Sequence, residues 1–141
     1  MRARALQSLL LVLLVAGIGA ANGRATDSRS SSVPKSFVGC WARHVPSLVG
    51  QPAGVWLVAI GANGAFAAYT PGSSRCGPQA DFRSHVRVLA GRLTIGPVPI
   101  CAGSGAYRAT AGKASFTLRT VSDASCPSRA ALLAGTWSRR H

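Results

Sequence analysis

Three histidines (His44, His85, His141), three aspartates (Asp27, Asp81, Asp123) and four cysteines (Cys40, Cys76, Cys101, Cys126) are the side chains of this 141-residue chain best suited to catalysis or metal binding; glutamate is absent. General acid–base work by a carboxylate pair needs two acids side by side, and the three aspartates are scattered. Asp81, Ser84 and His85 include the residue types of a nucleophilic triad. Neighbours on a strand point to opposite faces, however, and no G-x-S-x-G turn presents the serine. No cysteine pair has C-x-x-C spacing, and no histidine stands close enough to complete a zinc set. The inventory therefore predicts no enzyme, no metal and no cofactor. The remaining chemistry is oxidation of four thiols to two disulfides.

Disulfides require an oxidising compartment, and the N-terminus supplies a route to one. Arg2 and Arg4 precede an apolar run over 9–18 that gives way to small residues, so 1–25 reads as a signal peptide cleaved after Ala21 or Ala25. The run is shorter than the roughly 20 residues a membrane-spanning helix needs, so no transmembrane segment is expected after cleavage. Residues 26–35 read as a flexible mature N-terminus and 36–141 as a single domain, secreted or extracytoplasmic.

The net charge of +13 remains close to +10 once Arg2, Arg4 and Arg24 leave with the signal. Such a field favours anionic partners, among them acidic lipid, an anionic cell-envelope polymer or a carboxylate ligand. A composition biased towards Arg, Ala and Gly produces the same number without a partner.

The elements that position these residues are short. Apolar or alternating runs punctuated by Gly, Pro, Ser and Asn predict strands over 37–44, 55–60, 65–69, 81–90, 92–95, 106–110, 114–121 and 136–140. Pro127 opens one short helix over 127–134, which Gly135 ends before the last strand. Loop lengths alternate. Tight turns join strands two and three, four and five, and six and seven, while the other connections run to about ten residues or more. The fold class is all-β, an eight-stranded antiparallel up-and-down barrel with a closed base and a long-looped rim.

Gly39-Cys40-Trp41 on the first strand resembles the G-x-W signature of lipocalins and related calycin barrels, and Gly135-Thr136-Trp137 repeats the spelling on the last. The chain is similar to small secreted bacterial lipocalin-like proteins; it has no T-D-Y motif, so the resemblance is to the wider calycin group. The resemblance implies structural roles for Gly39, Trp41 and Trp137. Trp41 then closes the base beneath an arginine of the last strand, Arg139 or Arg140. The alternative sets the Trp41 indole against a ligand in the lumen.

Alternation sends Phe82, Val86 and Val88 inward and Arg83, His85 and Arg87 outward. Phe66, Tyr107 and Phe116 join the inward set, where these side chains either fill the barrel or line a cavity for a small apolar or anionic ligand. His44, Arg75, Asp123 and Arg129 are the rim candidates. Arg83, Arg87 and Arg92 form an outward basic stripe that offers a second reading, a structural or interaction protein binding a polyanion. Nucleic acid is disfavoured because His85 is the only ring that strand four offers on that face.

Cys101 and Cys126 lie symmetrically about the turn at Gly112-Lys113 and should pair at the rim. Cys40 is left for Cys76. With Cys40 at the base and Cys76 in a rim loop, that pair is separated by most of a strand, beyond the ~4.4 to 6.8 Å between α-carbons that a disulfide spans. Either the first strand sits higher or the connectivity differs.

Overall fold

Apolar side chains at every second position give each strand one face that must leave water, and eight such strands bury those faces by closing on themselves. The computed structural model describes residues 32–48 and 50–141. The strands are Gly39–Val45 (β1), Gly54–Ile60 (β2), Ala65–Tyr69 (β3), Phe82–Leu89 (β4), Arg92–Ile95 (β5), Gly105–Ala111 (β6), Ser115–Ser122 (β7) and Gly135–Arg140 (β8). They pair antiparallel in chain order, and β1 pairs with β8 to close the barrel as expected. One helix, Pro127–Leu133 (α1), precedes β8. The signal segment over 1–25 and residues 26–31 lie outside the described residues. Within the N-terminal stretch read as flexible, Val33 is 3% exposed and its N–H donates to Ala62 O at 3.1 Å, so the packed domain begins before residue 36.

The short turns fall at one end. Ala90 and Gly91 both have positive φ, the geometry a two-residue hairpin requires, and only Gly91 adopts it without steric cost. Asn63 Oδ1 accepts the Ala65 N–H at 3.0 Å and braces the turn between β2 and β3.

The lumen is filled. Trp41, Trp137, Phe116, Tyr107, Leu93 and Ile95 are essentially inaccessible to water. Phe116 lies at the centre of the aromatic packing, edge-on to Trp41 at 4.8 Å and stacked with Trp137 at 6.3 Å. Each tryptophan satisfies its indole N–H on the carbonyl four residues earlier: Trp41 on Phe37, Trp56 on Pro52, Trp137 on Leu133. A buried indole thereby avoids an unmet donor, and each ring is fixed by its own chain.

Helix α1 lies across the loop end. Arg129, Leu132 and Leu133, at i, i+3 and i+4, are its buried face.

Both disulfides exist, Cys101–Cys126 with α-carbons 5.6 Å apart and Cys40–Cys76 at 5.9 Å. Neither alternative raised for Cys40 is needed. The loop between β3 and β4 does not stay at the rim but runs back along the outer wall as a strap over Leu57, Ala67 and Tyr69, with Cys76 and Ala80 packed on them. Tyr69 Oη donates to Gly77 O at 2.7 Å, Arg83 donates to Pro78 O, and the disulfide ties the strap to the start of β1. This explains why Leu57 is fully buried although it points out of the barrel. Two disulfides mark an oxidising, extracytoplasmic environment. No helix among the described residues is long and apolar enough to cross a membrane.

Candidate functional site

The arginines of the described chain divide by what holds them. Arg43, Arg83, Arg129 and Arg139 each donate to backbone carbonyls. Arg75, Arg87, Arg92, Arg108, Arg119 and Arg140 are exposed with no side-chain hydrogen-bond or ion-pair partner among the described residues, and Arg87, Arg92, Arg108 and Arg119 stand on the outer wall of β4–β7.

The first group is structural. Arg139 lies over the Trp41 ring, Cζ 4.1 Å from the centroid, and donates to Val38 O at 3.0 Å. Gly39 makes this possible: its φ is +140°, and a β-carbon there would stand 2.6 Å from Arg139 Nη1. Gly39, Trp41, Trp137 and Arg139 thus form packing, consistent with a closed base. Arg43 performs the reciprocal task at the other end, donating to Leu132 O at 2.6 Å in the last turn of α1, where a cation suits the negative helix end. Burial lowers its pKa.

Arg129 and Asp123, two of the rim candidates, form a buried pair. Arg129 Nη2 lies 2.6 Å from Asp123 Oδ1 and Nε 2.9 Å from Oδ2, while the remaining guanidinium protons go to Gly96 O and Gly103 O. Tyr107 Oη donates to Asp123 Oδ2. Burial works to raise the Asp123 carboxyl, but hydrogen bonds from Arg129 and Tyr107 and the Arg129 charge outweigh it and hold it below the usual carboxylate range. Burial, reinforced by Asp123, pushes the Tyr107 phenol well above its ordinary value. The hydrogen bonds that Arg129 donates to Asp123 raise the Arg129 pKa. The three groups are mutually satisfied and lock α1 to the loop before β6.

The other expected site residues disperse. Phe116 and Tyr107 are core. Phe66 and Phe82 do meet Arg129 at a small apolar notch near the mouth, lined also by Val98, Ile100 and Leu132, which leaves a cavity of about 30 Å³. That is room for one or two water-sized groups. His44 is exposed on β1, away from the notch. Arg75 is not at the rim: the strap carries it to the base, beside Cys40, Arg140 and His141. Ser84, His85 and Asp81 do not converge, since Ser84 Oγ donates to Pro97 O at 2.9 Å and Asp81 Oδ2 accepts from Thr70. No three His, Cys, Asp or Glu side chains gather as a metal set among the described residues.

The exposed group on the wall is ordered by register. Arg92 stands opposite Arg108, and Arg108 opposite Arg119, so three guanidinium stems share one row across β5, β6 and β7. A parallel row of hydroxyls runs beside it, Thr110 opposite Thr117 and Thr117 opposite Thr136. Arg87, on β4, faces Thr94 in the next row. Arg83, expected in this stripe, is instead tied to the strap at Pro78. No acid answers the row: the described aspartates are Asp81, bonded to Thr70, and Asp123, buried on Arg129. Every Phe, Tyr and Trp side chain is buried or half-buried, so the only exposed ring on the wall of β4–β7 is the His85 imidazole.

The stripe read from β4 and β5, Arg83, Arg87 and Arg92, missed Arg108 and Arg119. Their signal was present, for they lie symmetrically about the same Gly112-Lys113 turn that predicts the Cys101–Cys126 pairing. No family model matches the chain, and no curated protein or solved structure is significantly similar to it.

Proposed function

We propose that this is a secreted, non-enzymatic binding module that holds an anionic polymer of the cell envelope on the outer wall of β4–β7. The observation that carries this reading is the in-register row Arg92, Arg108 and Arg119, with no carboxylate side chain beside it among the described residues. Like charges directly opposite on paired strands repel and cost stability. A bound polyanion converts that cost into affinity, and the guanidinium group, always charged and weakly hydrated, suits the task. With no exposed Phe, Tyr or Trp and His85 as the single ring on the wall, the surface suits a polymer whose charges carry no bases to stack.

A small apolar or anionic ligand at the mouth, as the lipocalin-like resemblance implies, has less support. Its lumen is occupied by aromatic rings, and the notch offers about 30 Å³. That is far below the ~300 to 1,000 Å³ of typical ligand pockets.

The test separates placement from net charge. One variant replaces Arg92, Arg108 and Arg119 with Gln; a second replaces Arg75, Lys113 and Arg140, exposed residues off the row. Both lose three charges. On a sulfated matrix the first should elute at clearly lower salt than the second, and coincident elution contradicts the reading.

A further inference from the structure

We infer that the group recognised on this wall is a tetrahedral oxyanion, a phosphate or sulfate ester, seated among Arg108, Arg119, Thr110 and Thr117. The inference rests on the polyanion reading and specifies its chemistry. Arg108 faces Arg119 and Thr110 faces Thr117 on the same outer face, and these four side chains line one shallow depression of about 360 Å³. Cross-strand neighbours stand about 5 Å apart and residues two apart on a strand about 7 Å. The four stems therefore mark the corners of a patch that one small anion can span.

Donor geometry decides which anion. A carboxylate offers about four acceptor sites, all in its own plane, and a bidentate guanidinium takes two of them. Two arginines and two hydroxyls rising from four corners of a patch do not all lie in that plane. A phosphate or sulfate ester presents oxygens in several directions and accepts from both guanidinium groups and both hydroxyls together. Thr117 is prepared for this by its neighbour: Thr136 Oγ1 lies 2.9 Å from Thr117 Oγ1. When Thr136 donates along that contact, the Thr117 proton is free to turn into the depression. Arg92, one strand along the row, meets the next charge of the polymer.

The experiment measures affinity of the purified protein for long-chain polyphosphate, dextran sulfate and polygalacturonate at one ionic strength, with wild type and a Thr110→Val/Thr117→Val variant. Valine keeps the strand shape and removes only the hydroxyls, and both positions lie on the outer face, so the fold is retained. The double variant should bind polyphosphate or dextran sulfate at least fivefold more weakly and polygalacturonate as wild type does. Whichever of the first two binds tighter identifies the ester. Equal losses on all three polymers, or no loss on any, overturns the inference while leaving the polyanion reading standing. Absence of binding to all three by wild type overturns both.

Discussion

Arg43 occupies the space that a side chain at position 135 would need: an ideal β-carbon on Gly135 lies 2.6 Å from the Arg43 guanidinium carbon. Gly39 and Arg139 repeat the relationship across the same strand pair, because β1 and β8 both read G-x-W-x-R, Gly39 to Arg43 and Gly135 to Arg139. Antiparallel pairing sets Arg139 opposite Trp41, and its side chain crosses to Gly39 as that of Arg43 crosses to Gly135. Gly135→Ala adds this clash to an unfavourable φ of +133° and should destabilise by about 1 to 3 kcal/mol. In urea unfolding, Arg43→Ala combined with Gly135→Ala should cost less than the sum of the two. Strict additivity would contradict the coupling.

The Asp123–Arg129 pair links stability to pH. The carboxyl pKa is lower in the folded than in the unfolded protein. The stabilisation is therefore fully present above the ordinary carboxylate range and lost as pH falls below about 4 through the folded value. Asp123→Asn leaves a buried guanidinium without its charge partner and should cost about 3 to 5 kcal/mol near neutral pH. It should also flatten the acid limb of a stability–pH curve. An unchanged acid limb would mean that other groups govern acid unfolding.

The strap predicts different outcomes for the two disulfides. Cys40→Ser/Cys76→Ser frees the loop over Leu57, Ala67 and Tyr69 and should cost about 2 to 4 kcal/mol while raising binding of an apolar dye. Cys101→Ser/Cys126→Ser should destabilise without that gain in dye binding. Equal dye binding by both variants would show that the strap is held by something other than Cys40–Cys76.

Tyr107 adds a limit on the alkaline side. Its phenol titrates higher in the folded protein than in the unfolded chain. Stability from this group is intact below about pH 10 and declines as pH rises further. Tyr107→Phe should remove that alkaline decline in a thermal melt series, and persistence of the decline would assign it to another group.

Strand number, chain order, the lone helix and Cys101–Cys126 were legible because each depends on local pattern: period-two alternation, turn residues and symmetry about one hairpin. The strap was not, because a loop of Gly, Pro and Ser residues carries no periodic signal, and Leu57 gave no hint that its outward face would be covered. The basic row was half legible. Arg92 was legible in the outward stripe, whereas Arg108 and Arg119 required counting register from Gly112 across a second hairpin. Arg83, Arg75 and Arg129 resemble the arginines of the row in sequence and differ only in what the fold brings to them: Pro78, the base of β1, and Asp123.

The most direct test of the central claim is the salt dependence of dextran sulfate binding, compared between wild type and the Arg92→Gln/Arg108→Gln/Arg119→Gln variant. Each arginine–anion contact releases counterions, so log affinity should fall linearly with log salt, and losing three contacts should flatten the slope by about two to three. Binding that persists with an unchanged slope in the variant, or wild-type binding that ignores salt, would contradict a polyanion site on this wall.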